Sequence, residues 1–256
     1  MALPTDGPID GRSKGTSTDR RAFLRGAAAT AASASVFAAP RAVHAAGSDV
    51  IRVGLIGCGG RGTGAAIDAL HGDPQATLVA LGDAFGDQAQ SCLGTLRNDQ
   101  EVGARVQVED DAVFDGFDAF KKVVDAGVDV VILATPPHFR PEHLAYVVEK
   151  GKHCFVEKPV AVDVPGALRV QKICAEAASK GLSIVSGLCW RYDLGVRETV
   201  QRIQDGAIGD IIAIESRYNA GTLWHRERQD SWTDMEYQVR NWLYYCWLSG
   251  DHIVEQ

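Results

Sequence analysis

The sequence predicts an α/β protein in which a doubly wound parallel sheet is followed by the start of a second α/β domain. Three observations carry that prediction. An apolar run from Val50 to Ile56 breaks into Gly57-Cys58-Gly59-Gly60-Arg61-Gly62, so a strand passes through a glycine turn into a helix. Strand and helix patterns then alternate from residue 50 to residue 187. The second strand, Ala76 to Asp83, ends in a carboxylate. Alternation of this kind implies right-handed crossovers, and ligands of such sheets bind outside the carboxyl ends of the strands.

The turn has the spacing G-x-G-x-x-G, which suits a dinucleotide as well as an ordinary βα connection. Gly57 would allow the tight turn, Gly59 would let the backbone approach a pyrophosphate, and Gly62 would let the next helix pack on its strand. The N–H groups at the start of that helix, through Cys58, Gly60 and Arg61, need no basic side chain to bind an anion. Asp83 lies 21 residues beyond Gly62 (83 − 62). An acid there can accept hydrogen bonds from the adenosine ribose, and it can also cap the helix that follows. Its charge repels a 2′-phosphate, and residues 84–88 contain no Arg or Lys, so NAD is favoured over NADP.

The remaining elements follow in order. Helices are expected at Thr63–His71, Gln88–Arg97 and Phe117–Ala126, with a short strand at Arg105–Val108. Val128–Ala134 is a continuous β-branched run suited to a parallel strand covered on both faces. It ends in Thr135-Pro136-Pro137-His138; Pro141 then opens a helix that Gly151 stops. The strand His153–Val156 delivers Glu157-Lys158-Pro159, and a helix (Val164–Lys180) and a strand (Leu182–Ser186) complete the series.

Composition narrows the function. The chain has 256 residues, 46% hydrophobic and 23% charged, with a net charge of -7, which argues against nucleic acid as a partner. Its six cysteines are scattered without metal-ligand spacing, so buried thiols are expected and no metal. Arg20-Arg21-Ala22-Phe23-Leu24 precedes an alanine-rich stretch and the small residues around Ala45-Ala46, which resembles a twin-arginine export signal. An amphipathic helix is the alternative reading. The stretch is too short to span a bilayer, and no cysteine near the cleavage site offers a lipid anchor. Residues 1–46 are therefore set apart as a leader, with the twin-arginine translocase as partner and a periplasmic or extracellular destination.

Lys158 stands just past a strand end, and Pro159 forces it into an extended conformation. A lysine on a partly dry rim can act as acid or base, although the tripeptide equally suits a surface lysine in a charged loop. Taken together, Gly57-x-Gly59-x-x-Gly62, Asp83, Ala134-Thr135-Pro136-x-x-x-Arg140-Pro141-x-His143, Gly151-Lys152-His153 and Glu157-Lys158-Pro159 resemble the Gfo/Idh/MocA oxidoreductases. The resemblance implies a Rossmann domain for NAD(P) over residues 47–187. It also implies the beginning of a substrate and oligomerisation domain with an open sheet over 188–256. Lys158 would lie near nicotinamide and substrate, with Glu157 beside it. Thr135, Pro136, Pro137 and His138 would border the nicotinamide ribose, and Arg191 and Tyr192 would face the substrate.

Beyond residue 187, Leu194–Gln204 reads as a helix and Gly209–Tyr218 as the first strand of a second sheet. An aromatic and basic segment follows, from Trp224 to Trp247, suited either to stacking on sugar rings or to a subunit interface; a homo-oligomer is expected. Glu255 stands where the family's distal motif has its first acid. The histidine of that motif would lie beyond Gln256, so a truncated chain is expected, and the offset of His252 does not match. The reaction implied is hydride transfer between tightly held NAD(P) and a sugar, cyclitol or sugar derivative. The alternatives are an NAD-dependent glycosidase using transient oxidation and elimination, and a nucleotide-binding protein without catalysis.

Overall fold

The computed structural model describes residues 50–255. The leader assigned to residues 1–46 lies outside the described residues. Six parallel strands form one sheet: β1 (Ile51–Ile56), β2 (Ala76–Asp83), β3 (Val113–Asp115), β4 (Val130–Leu133), β5 (His153–Val156) and β6 (Ile184–Ser186), in the order β3-β2-β1-β4-β5-β6. The chain winds outward from β1 in one direction and then from β4 in the other. A crevice opens where the winding reverses, at the carboxyl ends of β1 and β4.

Both faces of the sheet are apolar, which is why these strands read as continuous runs. Val53, Leu55 and Ile132 pack with Leu70 of α1 (Gly60–Gly72) and Leu93 and Leu96 of α2 (Gly86–Arg97). Ile56, Val131 and Leu133 pack into the other layer, with Val123 of α3 (Ala119–Asp125), Leu144 of α4 (Arg140–Glu149) and Ile173 of α5 (Val164–Ser179). Successive residues of one strand enter opposite layers, as the two-residue period requires.

Two predicted strands are corrected. Arg105–Val108 does not join the sheet as a strand: Gly103–Arg105 forms a 3₁₀ turn, and Val106 makes only a single bridge to Leu78. Arg105 Nη1 donates to the carbonyls of Leu70 and Asp73 at the end of α1, and the Gln107 N–H donates to the Leu78 carbonyl, so the segment touches β2 at one point without forming a ladder. The third strand forms instead at Val113–Asp115, paired with Leu81–Asp83. Gly209–Tyr218 forms no strand either. Among the described residues no strand lies beside it, and Ile212 and Ile214 remain 96% and 83% exposed.

Buried thiols are found at Cys58, Cys92 and Cys154, whereas Cys189 and Cys246 are exposed and Cys174 lies between. After the sheet come α6 (Leu194–Gln204), whose first turn is capped by Asp193, then α7 (Asp234–Arg240), α8 (Cys246–Ser249) and α9 (His252–Glu255). Among the described residues, no helix is long and apolar enough to cross a membrane.

Candidate active site

The glycine turn divides into residues the fold needs and residues it does not. Gly57 adopts φ of 95°, open to glycine at little cost. A Cβ on Gly62 would stand 1.8 Å from the Gly57 carbonyl oxygen, so only glycine lets α1 start there. A Cβ on Gly59 or Gly60 would meet nothing within 4 Å. Their bareness serves the space in front of them. No side chain caps α1 and its first turn has no acid, so its positive end faces that space.

The space is a cavity of about 440 Å³ lined by Gly57, Gly59, Gly60, Arg61, Gly62, Asp83, Thr135 and Pro136. Cys58 lies behind the turn, buried, with its Sγ on the Gly82 carbonyl. Its N–H donates to Asp83 Oδ2 at 2.7 Å, and Asp83 Oδ1 accepts from the Phe85 N–H at 3.0 Å. Asp83 therefore braces the turn against the end of β2, while no side chain caps α2. Burial pushes its carboxyl above the usual carboxylate range, and the two N–H bonds oppose that push. The bare helix end suits a phosphate and the Asp83 carboxylate suits ribose hydroxyls, two groups that an adenosine diphosphate carries side by side.

At the end of β5, charged side chains tie the chain to the glycine turn and to its C-terminal part. Glu157, 5% exposed, accepts from Arg61 Nε at 2.6 Å, tying the end of β5 to the glycine turn. Lys158 follows it. Its Nζ donates to the Glu255 carbonyl at 2.5 Å and lies 3.3 Å from Glu255 Oε1. Burial raises the Glu255 carboxyl, with Lys158 and Arg140 pulling it back down, and Glu255 Oε2 is buried with no hydrogen-bond partner among the described residues.

Beneath the rim, buried Arg140 donates to the Thr135 carbonyl at 2.7 Å and to the Glu157 carbonyl at 2.9 Å, and it also reaches the Pro159 carbonyl. One guanidinium thus clips the loop after β4 to the loop after β5. Burial lowers its pKa to about 10. His143, one turn further along α4, stacks on Phe120 at 4.0 Å and has Nδ1 3.4 Å from Thr135 Oγ1. Burial and the Arg140 charge lower its pKa to about 3, so it is neutral. Both residues belong to the Thr-Pro-x-x-x-Arg-Pro-x-His run, and their spacing of three on a helix that opens against the loop was the available signal.

The structure does not gather every predicted residue into the cavity: Cys58, Glu157 and Lys158 are not among the residues that line it. Pro137 is buried, and His138 turns edge-on to Trp247 at 5.1 Å while its N–H donates to the Leu248 carbonyl. Arg191 and Tyr192 are exposed where the chain leaves the edge strand β6. Arg191 borders a separate groove along α6 with Trp190 and Val200. His252 is also exposed. The cavity is also lined by Trp224, Arg226, Arg240 and Trp242 of the aromatic and basic segment, and by Val239. Part of the aromatic and basic segment therefore shares a cavity with the glycine turn and Asp83.

Residues 51–184 match the family model GFO_IDH_MocA, described as an oxidoreductase family with an NAD-binding Rossmann fold. The chain belongs to the Gfo/Idh/MocA oxidoreductase family. As a Gfo/Idh/MocA protein it carries the NAD-binding fold, and the cradle at Gly59 and Gly60 fits that cofactor. It is 30% identical over 200 residues to inositol 2-dehydrogenase 1 of Saccharopolyspora erythraea, a match covering 75% of this chain and 54% of the relative. It is 29% identical over 185 residues to glycosyl hydrolase family 109 protein 1 of Bacteroides fragilis, covering 69% and 36%. The scyllo-inositol dehydrogenase of Lactobacillus casei, solved with NAD(H) and scyllo-inositol, superimposes with a TM-score of 0.51 at 26% identity over 63% of this chain and 43% of that one. The matches thus span between about a third and just over half of these Gfo/Idh/MocA proteins.

Proposed function

We propose that this protein is an exported NAD-dependent oxidoreductase that moves a hydride between a tightly held nicotinamide and a CH–OH group of a sugar, cyclitol or sugar derivative. The observation that carries the reading is the position of Lys158. Its ammonium group is held at the carboxyl edge of β5 by Glu255, and Glu157 ties the same loop through Arg61 to the glycine turn. NAD, when bound, supplies the hydride acceptor or donor. Lys158 would take the hydroxyl proton of the substrate as the neutral amine and return it as the ammonium, the form that Glu255 steadies. Arg140 sets the spacing between the Thr135 and Glu157 loops, and Asp83 accepts from the ribose and disfavours NADP.

The inositol dehydrogenases among the relatives support the substrate class, and Arg20-Arg21 supports export by the twin-arginine route. A protein exported folded would carry its cofactor with it and regenerate it in each cycle. Likeness to a family 109 glycosyl hydrolase over 69% of the chain favours a second reading, in which transient oxidation of a ring hydroxyl permits elimination of an aglycone.

Nicotinamide absorbance of purified protein, recorded as candidate sugars and cyclitols are added, separates the two. Net reduction of bound cofactor supports the oxidoreductase, and aglycone release without net redox change supports the hydrolase. Lys158→Ala is predicted to lower turnover at least about 100-fold, the scale of a lost general acid or base, with NAD binding retained. Loss of NAD binding instead would make Lys158 structural.

A further inference from the structure

Near the adenosine end of the cavity the fold delivers a guanidinium that residues 84–88 lack. Arg240 of α7 reaches Asp87, 153 residues earlier, with Nη1 3.0 Å and Nη2 2.9 Å from its two carboxylate oxygens. Its Nε lies 2.9 Å from Glu236 Oε1, and its guanidinium carbon stands 3.9 Å from the centre of the Phe85 ring and 4.8 Å from that of Trp232. The side chain is 9% exposed. Phe85 is bonded through its N–H to Asp83, so Arg240 is held beside the carboxylate that would receive the ribose. Asp83, Phe85 and Arg240 line one cavity, and the Asp83 carboxyl feels Asp87 as a like charge and Arg240 as an opposite one.

A guanidinium fork binds a carboxylate or a phosphate with the same two parallel N–H bonds. Here a carboxylate of the protein takes that position. We propose that Asp87 and Arg240 form the selector for the adenosine 2′ position: Asp87 occupies the fork, so the site takes a 2′-hydroxyl, and removal of the Asp87 charge frees Arg240 for a 2′-phosphate. The proposal rests on the reading of Asp83 as the ribose acceptor and adds a partner that approaches from the far end of the chain. Asp83 continues to repel the phosphate, so the released fork shifts the preference without inverting it.

The test is titration of the full chain with NAD and with NADP, followed by calorimetry or by quenching of the tryptophans that line the cavity. Asp87→Asn keeps the shape and removes the charge. It is predicted to improve NADP affinity relative to NAD by about tenfold, and the double variant Asp87→Asn/Arg240→Gln is predicted to lose that gain. Asp87→Ser, which can still meet the first turn of α2, serves if the asparagine variant fails to fold. An unchanged ratio in both single variants overturns the proposal, as does a gain that survives without Arg240 or a wild-type protein that already prefers NADP. Wild type binding neither dinucleotide defeats the NAD reading of the slot, whereas NAD binding with no response to Asp87 defeats the selector alone.

Discussion

Two β-branched runs of this chain meet opposite fates. Val130–Leu133 is the strand β4, with Val131, Ile132 and Leu133 all buried. Ile211-Ile212-Ala213-Ile214 has a similar composition and lies exposed without regular structure. The difference is neighbours. β4 pairs with β1 on one side and β5 on the other, and helices cover both of its faces. Among the described residues the second run has no strand to pair with, so its backbone groups are left to water. Strand propensity measures how well a side chain fits a half-buried surface, and without that surface the composition decides nothing.

The largest effect is expected where the sheet region has no room to yield. Gly62→Ala places a methyl group 1.8 Å from the Gly57 oxygen, so α1 must move off the turn. Urea unfolding should show a loss of about 3 kcal/mol together with loss of NAD binding. Stability within a few tenths of wild type would mean that the turn has another conformation available and that the contrast is overstated.

A second test uses pH. His143 has its folded pKa lowered to about 3 from the usual 6.5. Between those values the unfolded chain binds a proton that the folded one refuses, so this residue makes stability fall as pH drops. From about pH 6.5 to about pH 4.5 the loss should be roughly 2–3 kcal/mol. Asp83 and Glu255, both raised by burial, act in the opposite sense over the lower part of that range. His143→Phe keeps the stacking on Phe120 and removes the titration. Urea midpoints at about pH 7.5 and 4.5 should therefore converge in the variant, and an undiminished fall would assign the acid sensitivity elsewhere.

The smallest effect belongs to the exposed run. Ile212→Ser removes an apolar side chain that is 96% exposed, and the change in unfolding free energy should stay within about 0.5 kcal/mol. A loss above about 2 kcal/mol would show that something covers Ile212 in solution.

The sheet and the glycine turn were legible because each depends on neighbours close in sequence. β1, the turn and α1 are contiguous, and β-α alternation carries its own pairing rules. Arg105–Val108 misled because its valines are buried without a ladder, and the direction of Arg105 depends on the carbonyls of Leu70 and Asp73. β3 was missed because three residues give too short a pattern to read. In the site, the sequence puts Gly57, Asp83, Thr135 to His138 and Glu157 to Pro159 on one rim; Gly57, Asp83, Thr135 and Pro136 line the cavity, and Glu157 to Pro159 do not. The predicted neighbour His138 meets Trp247 and Leu248 instead, a direction no local pattern encodes.

By itself the sequence determined the alternating sheet, the bare glycines at the start of α1, the acid that ends β2 and the Glu-Lys-Pro loop, because each follows from residues within a few positions of one another. Only the tertiary structure decided that Arg140 clips two loops together, that Glu255 holds Lys158, and that Arg240 meets Asp87. Those contacts join residues 5 to 153 positions apart. Their geometry is set by burial and by the close approach of distant charges. A reading taken along the chain has no access to either.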